Sequence, residues 1–290
     1  MLYRLKKLIL MYRLVSSNQI AKAKVNLCLH VTGQREDGYH LLDSLVVFAD
    51  YGDELSFVTN NNLRLTIGGP FGDELNNGKN NLIYKAAQML DLELGVDIDL
   101  IKNLPISSGI GGGSADAAAT LRGLAKHWNL DLPSDKGLAL GADVPVCLSS
   151  ISQRMQGIGD VLAPIGFLPK LAAILINTGD GVSTPDSFHS LNNKNNESIG
   201  ELPTKKMDFM DTIQYLRGLR NDLQEPVCKL LPSVQIVINS LDRYGSSLSR
   251  MSGSGGTCFG LFKDFQEACK VVKKLQEKNP SWWIKPVILG

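Results

Sequence analysis

The part of the sequence that decides the fold is a glycine-rich stretch leading into an alanine-rich one: Leu104-Pro105-Ile106-Ser107-Ser108-Gly109-Ile110-Gly111-Gly112-Gly113-Ser114-Ala115-Asp116-Ala117-Ala118-Ala119. Four of the five residues from 109 to 113 are glycines, so backbone N–H groups are free to turn toward one point and phosphate oxygens can approach closely. Segment 114–128 predicts a helix whose first N–H groups and dipole favour negative charge. The stretch therefore predicts a triphosphate cradle, with Ser114 as the helix N-cap and Asp116 as a first-turn acid.

Two better-known glycine-rich motifs do not match this loop. A P-loop requires G-x-x-x-x-G-K-[ST], and no Lys followed by Ser or Thr comes after these glycines. A dinucleotide-binding fingerprint requires G-x-G-x-x-G in an opening βαβ unit, whereas Ser114 occupies the position of the last glycine. A flexible turn that only caps a helix remains as the alternative, although a plain turn seldom needs four glycines before so regular a helix.

The composition indicates an ordered chain without a strong overall charge. Its 290 residues correspond to about two domains or one large one, at roughly 100–200 residues per domain. Hydrophobic residues make up 43% and charged residues 20%, which supplies a core and excludes a disordered chain. A net charge of +1 gives no general attraction to nucleic acid or anionic membranes. Five scattered cysteines without C-x-x-C or metal-ligand spacing predict reduced thiols in a cytosolic protein.

Residues 1–18 are predicted to be an N-terminal extension. The apolar run from Leu8 to Met11 follows basic residues as in a signal peptide, but Arg13 interrupts it and no small-residue cleavage site follows. The run is far shorter than the roughly 20 apolar residues that span a bilayer. Met11 is an alternative translation start.

Hydrophobic periodicity predicts strands and helices that alternate without a strict βαβ rhythm, so we expect two-layer α+β halves rather than a doubly wound sheet. Strands are predicted at 19–31, 44–48, 54–58, 63–67, 96–101, 171–176 and 283–289. Helices are predicted at 80–91, 114–128, 206–219 and 263–277, with at most a short one at 134–139. A further strand is expected at either 234–239 or 257–262. Asn60-Asn61-Asn62 predicts a hairpin turn, and 190–204 an exposed loop.

Five segments together resemble one enzyme family. The segment from Pro105 to Ala115 resembles the ATP-binding motif of the GHMP kinases, a group that includes galactokinase and the homoserine, mevalonate and phosphomevalonate kinases. Ala23-Lys24-Val25-Asn26-Leu27 and the loop Thr32-Gly33-Gln34-Arg35-Glu36-Asp37-Gly38-Tyr39-His40 resemble the opening of the branch that phosphorylates a cytidine diphosphate-linked methylerythritol. Gly141-Ala142-Asp143-Val144-Pro145 resembles the catalytic-aspartate motif, and Met251-Ser252-Gly253-Ser254-Gly255-Gly256-Thr257 the C-terminal glycine-rich motif. The resemblance covers roughly residues 19–290, and the D-G-Y-H segment is its most specific part.

The resemblance implies an α+β GHMP kinase fold. Its N-terminal ATP-binding and catalytic domain, similar to ribosomal protein S5 domain 2, is expected at 19–155, and its C-terminal α+β, ferredoxin-like domain at 156–290. It also implies ATP and Mg²⁺, with transfer of the γ-phosphoryl group to the 2-hydroxyl of the methylerythritol unit, a step of the non-mevalonate isoprenoid route. A small-molecule substrate, no nucleic acid, no membrane and a bacterial cytosolic location follow from the same resemblance.

The same resemblance implies two catalytic residues. Asp143 matches the catalytic base, and its position between Ala142 and Val144 would partly desolvate the carboxylate and favour proton uptake. Lys24 matches the catalytic lysine, which would hold Asp143 ionised, activate the hydroxyl or stabilise the transferring charge. Lys22 lies on the same strand face without a motif role.

Substrate and nucleotide contacts are implied as well. Asn26, Tyr39, His40 and Thr184 match positions that meet the substrate, with the Tyr39 ring suited to stacking on cytosine and His40 to hydrogen bonding. A Mg²⁺ ligand at Ser114 is a further hypothesis. The ATP-binding residues implied by the motif are Pro105, Ile106, Ser107, Ser108, Gly109, Ile110, Gly111, Gly112, Gly113, Ser114 and Ala115.

Several alternatives stay open on the sequence alone. Another GHMP kinase specificity is one, against which the loop at 37–40 discriminates. A catalytically weak nucleotide-binding relative is another, because segment 131–140 is shorter than the helical stretch that usually precedes the catalytic aspartate in the family. Gly253, Gly255 and Gly256 either let a second loop approach the phosphates or the acceptor, or form a tight turn before a strand at 257–262.

Overall fold

The computed structural model describes residues 17–290, so residues 1–16 of the predicted N-terminal extension lie outside the described residues. Among residues 17–290, none of the helices combines the length and the apolar character that crossing a bilayer requires. The strands are β1 (Ser17–Gln34), β2 (His40–Thr59), β3 (Arg64–Gly68), β4 (Val96–Ile101), β5 (Gln153–Gly157), β6 (Val161–Pro164), β7 (Leu171–Asn177), β8 (Leu248–Met251), β9 (Cys258–Phe262) and β10 (Trp283–Leu289).

The helices fall between these strands and agree with the predicted α+β class. The α-helices are α1 (Leu82–Leu90), α2 (Gly112–Trp128), α3 (Val144–Ser149), α4 (Thr184–His189), α5 (Phe209–Arg217), α6 (Gln224–Leu230), α7 (Pro232–Arg243) and α8 (Phe265–Lys278). Short 3-10 helices lie at Gly72–Glu74 and Leu138–Leu140.

The chain divides into two compact units, each built from separate segments. Unit 1 comprises residues 17–22, Gly52–Ile106 and Gly112–Ser149. Unit 2 comprises Ala23–Tyr51, Ser107–Gly111 and Ser150–Gly290. A compact unit and a family domain are defined differently, so the domain division at residue 155 remains a proposal.

Unit 1 is a small sheet with helices packed on it. β4 pairs antiparallel with the 54–59 part of β2 and parallel with β3. α2 packs against α1 and α3, and it approaches β2 so closely that a Cβ on Gly123 would lie 2.3 Å from Phe57 Cε2. The prediction that Asn60-Asn61-Asn62 closes a hairpin is wrong, because β4 lies between β2 and β3.

β2 is one continuous strand, so the prediction of separate strands at 44–48 and 54–58 is wrong about the break between them. Tyr51-Gly52-Asp53, between the two predicted strands, belong to the same strand. A Cβ on Gly52 would lie 2.1 Å from the carbonyl oxygen of Ala21, so only glycine allows β1 to run this close. Asp53 is fully buried and hydrogen-bonded, as described below.

Unit 2 contains a larger antiparallel sheet in the order β2-β10-β7-β9-β8, and β5 pairs with the 42–46 part of β2 and with β6. α7 and α8 pack against this sheet. Segment 234–239 lies in α7, where Val234, Val237, Ile238 and Leu241 are buried at helical spacing, so its prediction as a strand is wrong. The alternative at 257–262 is confirmed as β9.

Candidate active site

The helix after the glycine-rich loop begins earlier than predicted. α2 starts at Gly112, so Ser114 lies inside the first turn, and its prediction as the N-cap is wrong. Gly111 precedes the helix with φ 65°, a conformation that glycine adopts without the cost of a side chain. The first N–H groups of an α-helix lack intrahelical partners and attract anions. The N–H groups of Gly112, Gly113 and Ser114 at the start of α2 could therefore hold an anion.

Beneath this helix start lies a buried cluster of three ionisable side chains, Asp53, Lys102 and Asp116. Lys102 Nζ donates to Asp53 Oδ2 at 2.6 Å and to Asp116 Oδ2 at 2.7 Å. Asp116 is therefore a buried hydrogen-bond partner of Lys102. It lies beyond the first turn of α2, so its prediction as a first-turn acid is wrong. A Cβ on Gly112 would lie 3.1 Å from Lys102 Nζ, so the cluster directly supports the start of α2.

Asp53 also orders the chain that leads into the glycine-rich loop. Its Oδ1 accepts hydrogen bonds from the backbone N–H groups of Asn103 at 2.6 Å and Leu104 at 2.8 Å. Sequence reasoning missed Asp53 and Lys102 because charged residues are rarely buried without a partner, and their pairing is not visible in the sequence.

In the same unit, the aspartate motif lies beside the helix start. Asp143 is half-buried and immediately precedes α3, and its carbonyl oxygen accepts from Cys147 N at 3.1 Å. A Cβ on Gly141 would lie 3.9 Å from Ser114 Oγ, which places the motif next to the first turn of α2. Arg122 of α2 donates to the carbonyl oxygens of Cys147 at 2.8 Å and Leu148 at 3.1 Å. These bonds fix α3, and with it Asp143, against α2.

The short segment before Asp143 is ordered by its own hydrogen bonds. The Asp135 carboxylate accepts from the N–H groups of Gly137 and Ala139, each at 3.0 Å. Leu138–Leu140 forms a 3-10 helix, which agrees with the prediction of at most a short helix here. A short segment therefore still provides a defined support for the aspartate motif.

In unit 2, the loop residues Ser107–Gly111 pack against the second glycine-rich motif. Thr257 N donates to Ser108 O at 2.9 Å, and Ser252 Oγ donates to Gly109 O at 3.1 Å. A Cβ on Gly109 would lie 2.5 Å from Ser252 O, and one on Gly253 would lie 2.7 Å from Gly109 O. The second motif is thus a turn before β9 that holds the first loop in place through backbone contacts.

Asn221 in turn holds the second motif. Its side-chain Nδ2 donates to the carbonyl oxygens of Met251 and Gly253, each at 2.9 Å, and its Oδ1 accepts from Leu223 N at 3.0 Å. Nothing in the sequence predicted this contact between residues 30 positions apart.

Lys24 lies beside the loop within unit 2. Its side chain is buried, its backbone N–H donates to Ile110 O at 2.9 Å, and Nζ donates to Asn26 Oδ1 at 2.9 Å. A Cβ on Gly111 would lie 3.1 Å from Lys24 Cε, so this glycine leaves room for the lysine. The predicted catalytic lysine is therefore packed against the predicted phosphate loop.

The remaining predicted substrate residues lie elsewhere in unit 2. Tyr39 is exposed, at 57%, at the end of the loop before β2. The ring of His40 stacks on Phe188, with centroids 4.8 Å apart, and its Nε2 has no hydrogen-bond partner within residues 17–290. Burial, with Lys194 and His189 nearby, lowers the pKa of His40. Sequence reasoning missed Phe188, whose only signal is its position in the helix that follows the Val182-Ser183-Thr184-Pro185 segment.

Thr184 begins α4 and is exposed. Its Oγ1 lies 2.9 Å from Ser254 Oγ of the second glycine-rich motif. Within unit 2, the structure thus connects Thr184, the second motif, loop residues 107–111, Lys24 and Asn26 through direct contacts.

Comparisons with known proteins place the chain in a family. The models of the GHMP kinases N terminal domain and the GHMP kinases C terminal match residues 81–165 and 194–281. The 4-diphosphocytidyl-2-C-methyl-D-erythritol kinase of Ruegeria pomeroyi is 50% identical, over 91% of this chain and 95% of that relative. The enzyme of the same name from Roseobacter denitrificans is 44% identical, over 93% of this chain and 92% of that relative.

Solved structures agree. A crystal structure of 4-(cytidine 5'-diphospho)-2C-methyl-D-erythritol kinase matches with a TM-score of 0.77 at 30% identity, over 94% of this chain and 99% of that chain. Homoserine kinase from Cytophaga hutchinsonii, with a TM-score of 0.65 at 15% identity over 94% of this chain and 95% of that chain, shares the fold. The chain therefore has the GHMP kinase fold and belongs to the 4-diphosphocytidyl-2-C-methyl-D-erythritol kinase family of the GHMP kinases.

Proposed function

We propose that this chain transfers the γ-phosphoryl group of ATP to the 2-hydroxyl of 4-diphosphocytidyl-2-C-methyl-D-erythritol, a step of the non-mevalonate route to isoprenoid precursors. The observation that carries the proposal is the packing of Lys24 against the glycine-rich loop, through its N–H bond to Ile110 and its side chain beside Gly111. A buried cation beside a phosphate-binding loop has a direct use in phosphoryl transfer, where charge stabilisation and positioning supply most of the catalysis.

In this proposal, Asp143 and Lys24 have separate catalytic roles. Asp143 accepts the proton of the 2-hydroxyl as that oxygen attacks the γ-phosphorus, and the bond from phosphorus to the β–γ bridging oxygen breaks to release ADP. Lys24 stabilises the negative charge on the transferring group. Asp143 is half-buried and immediately precedes α3.

Nucleotide binding is assigned to residues 105–115, which supply the anion-binding end of α2 and the braced loop before it. Mg²⁺ belongs to the proposal because it accompanies ATP and, when bound, neutralises phosphate charge. Across residues 17–290, no three His, Cys, Asp or Glu side chains converge as a metal site. This fits Mg²⁺, which is usually bound through one or two protein ligands and the substrate phosphates. Ser114, with its hydroxyl near the aspartate motif, is the proposed ligand.

The cytidine end of the substrate is assigned to the aromatic and polar residues of unit 2. Tyr39 offers an exposed ring for stacking, and the stacked pair of His40 and Phe188 offers a second aromatic surface. His40 Nε2 has no bond to the described protein residues, so it is suited to a base edge. Thr184 remains a proposed substrate contact. Asn26 is 0% exposed and its amide is bonded to Lys24 and Ser44, so we assign Asn26 to holding Lys24 and not to contacting the substrate. The protein is proposed to act in the cytosol.

The catalytic assignment is tested by two substitutions. Asp143→Asn and Lys24→Ala are each expected to lower kcat by about 10²- to 10⁴-fold, because each removes a group that acts on the transferring proton or phosphoryl charge. Turnover is measured as ATP consumption with the cytidylyl substrate, and circular dichroism checks the fold. Lys22→Ala is the matched control on the same strand and is expected to retain activity.

The results distinguish the roles assigned to Asp143 and Lys24 from the choice of acceptor. Near wild-type kcat in Asp143→Asn or Lys24→Ala contradicts the role of that residue. Parallel assays with homoserine and mevalonate test specificity, and turnover of either in place of the cytidylyl substrate contradicts the proposed acceptor.

A further inference from the structure

A chain of buried hydrogen bonds leads from β2 to Lys24 within unit 2. Ser44 Oγ donates to the carbonyl oxygen of Cys28 at 2.6 Å, and Asn26 Nδ2 donates to Ser44 Oγ at 2.7 Å. At the other end of the same amide, Asn26 Oδ1 accepts from Lys24 Nζ at 2.9 Å. Ser44 and Asn26 are each 0% exposed, so water cannot readily replace any of these partners.

The hydrogen-bond chemistry fixes the direction of this chain. A hydroxyl has one proton, and Ser44 uses it on the Cys28 carbonyl, which is only an acceptor. Toward Asn26, the Ser44 oxygen therefore presents a lone pair, and it selects the NH₂ end of the amide. The carbonyl end of Asn26 is then the end that faces the Lys24 ammonium, which is only a donor.

The reversed amide would be unfavourable at both ends. Rotation of the Asn26 side chain by a half turn would place its NH₂ group against the Lys24 ammonium and its oxygen against the lone pairs of Ser44. Gly253 is a close neighbour of this side chain, since a Cβ built on Gly253 would lie 3.0 Å from Asn26 Oδ1. The backbone of Asn26 is held as well, by donation of its N–H to Ser252 Oγ at 3.1 Å.

We propose that Ser44 is a positioning residue for phosphoryl transfer, which sets the orientation of the Asn26 amide and thereby holds the ammonium of Lys24 in its working position. This inference rests on the proposed catalytic role of Lys24. Ser44 lies inside β2 and is buried, so it acts through Asn26 and not on the substrate. Misplacement of a catalytic group lowers the rate of the chemical step more than it weakens substrate binding. We therefore expect loss of the Ser44 hydroxyl to lower kcat.

The test compares four variants with the full-length protein. Ser44→Ala is expected to lower kcat by roughly 10- to 100-fold while KM for ATP changes by less than about threefold. Ser44→Thr keeps the hydroxyl and is expected to restore kcat to near the wild-type value. Ser249→Ala is the matched control, because the Ser249 hydroxyl is also buried but has no hydrogen-bond partner within the described residues. Lys24→Ala provides the reference for loss of the lysine itself.

Each outcome decides between the two proposals. Loss of kcat in Ser44→Ala with recovery in Ser44→Thr supports the positioning role. Wild-type kcat in Ser44→Ala together with an inactive Lys24→Ala overturns it and leaves the proposed function standing. An active Lys24→Ala overturns the assigned role of Lys24 and this inference with it.

Stability is followed by thermal unfolding. If Ser44→Ala is not folded at the assay temperature, Ser44→Cys replaces it, because a thiol fills the site but is a weak hydrogen-bonding group. Ser44→Cys is then expected to lose kcat as Ser44→Ala would, and wild-type kcat in this variant overturns the proposal.

Discussion

Asp116 shows how neighbours change the chemistry of one residue. Two buried carboxylates, Asp53 and Asp116, share the single ammonium of Lys102. One ammonium neutralises only one of them, so the second carboxylate would remain charged although it is shielded from solvent. Burial, opposed by Lys102 and reinforced by Asp53, raises the pKa of Asp116 to about 8. Asp116 therefore holds a proton at neutral pH, and the cluster is close to neutral.

The predicted consequence is a stability that depends on pH through Asp116. The pKa of Asp116 is about 8 in the folded state, whereas an aspartate has an ordinary pKa of 3.8, which we take for the unfolded chain. Between these two pH values, the folded state therefore binds more protons than the unfolded state. The contribution of Asp116 to stability is thus complete below about pH 4 and is lost as pH rises toward 8. Asp116→Asn is always neutral, so its stability relative to wild type should rise by about 1–3 kcal/mol from pH 6 to pH 9.

Urea unfolding at several pH values measures this difference. Asp131→Asn, at an exposed position, is the control and should show no such trend. A difference between Asp116→Asn and wild type that stays constant from pH 6 to pH 9 would refute the raised pKa.

At the residue scale, the sequence singles out the motif residues but not the residues that hold them. Lys24 and Asp143 stand in recognisable motifs, whereas Ser44 is an ordinary strand serine and Lys102 an ordinary lysine. Their roles arise from contacts across 18 residues for Ser44 and 49 residues for Lys102. Such pairings depend on which strands become neighbours, which periodicity does not reveal.

At the scale of elements, long and regular segments were predictable. β4, β10 and α8 lie where hydrophobic periodicity placed them. α3 and α4 have six residues each, too few for a periodic signal, and were missed. α7 was mistaken for a possible strand because a short apolar run fits either period. The start of α2 was misplaced by two residues because glycines at its first turn look like loop.

The contact between the two glycine-rich loops gives a prediction at this scale. Gly253→Ala would place a Cβ 2.7 Å from Gly109 O at a residue with φ 56°. The new methyl must push the phosphate loop away, so KM for ATP should rise by about tenfold or more, which corresponds to about 1.4 kcal/mol of lost binding. Steady-state kinetics with varied ATP measures this.

Gly245→Ala is the matched control for that substitution. Gly245 also has a positive φ, 87°, but its Cβ would have nothing within 4 Å. Both variants should lose about 1–2 kcal/mol of stability from the left-handed backbone, and only Gly253→Ala should lose affinity for ATP. Equal KM values for ATP in the two variants would show that the loop contact has no part in nucleotide binding.

At the scale of the whole molecule, β1 is completed by residues far along the chain. Asn26 is hydrogen-bonded to a residue 226 positions later, and His30 to residues 167 and 190 positions later. The sequence predicted β1 as a strand with one polar face, but residues 23–31 are all buried because these distant segments cover them. Residues 23–31 become buried only when these distant segments fold over them, so the local sequence pattern does not predict their burial.

The hydrogen bonds that His30 makes with these distant segments are sensitive to acid. Its Nε2 accepts from Arg220 N at 3.3 Å, so Nδ1 carries the proton and donates to Glu197 O at 2.9 Å. A second proton on the ring would have to bind Nε2, where it would face the backbone N–H group of Arg220 and remove the hydrogen bond that Nε2 accepts. Burial, with Arg220 nearby and opposed by the Glu197 carbonyl, Asp222 and Asp43, lowers the pKa of His30 below 6.5. The unfolded chain therefore binds a proton more readily than the folded one.

We accordingly expect the stability that His30 contributes to be present above about pH 6.5 and to be lost as pH falls below it, because protonation favours the unfolded state there. His30→Gln removes this titration, so its free energy of unfolding should fall less steeply than that of wild type between pH 7.5 and pH 5. His189→Gln, at an exposed position, is the control and should follow wild type. Parallel stability curves for His30→Gln and wild type would mean that the acid sensitivity arises at other groups. His40 and His127 would then be substituted next, because burial lowers their pKa values as well.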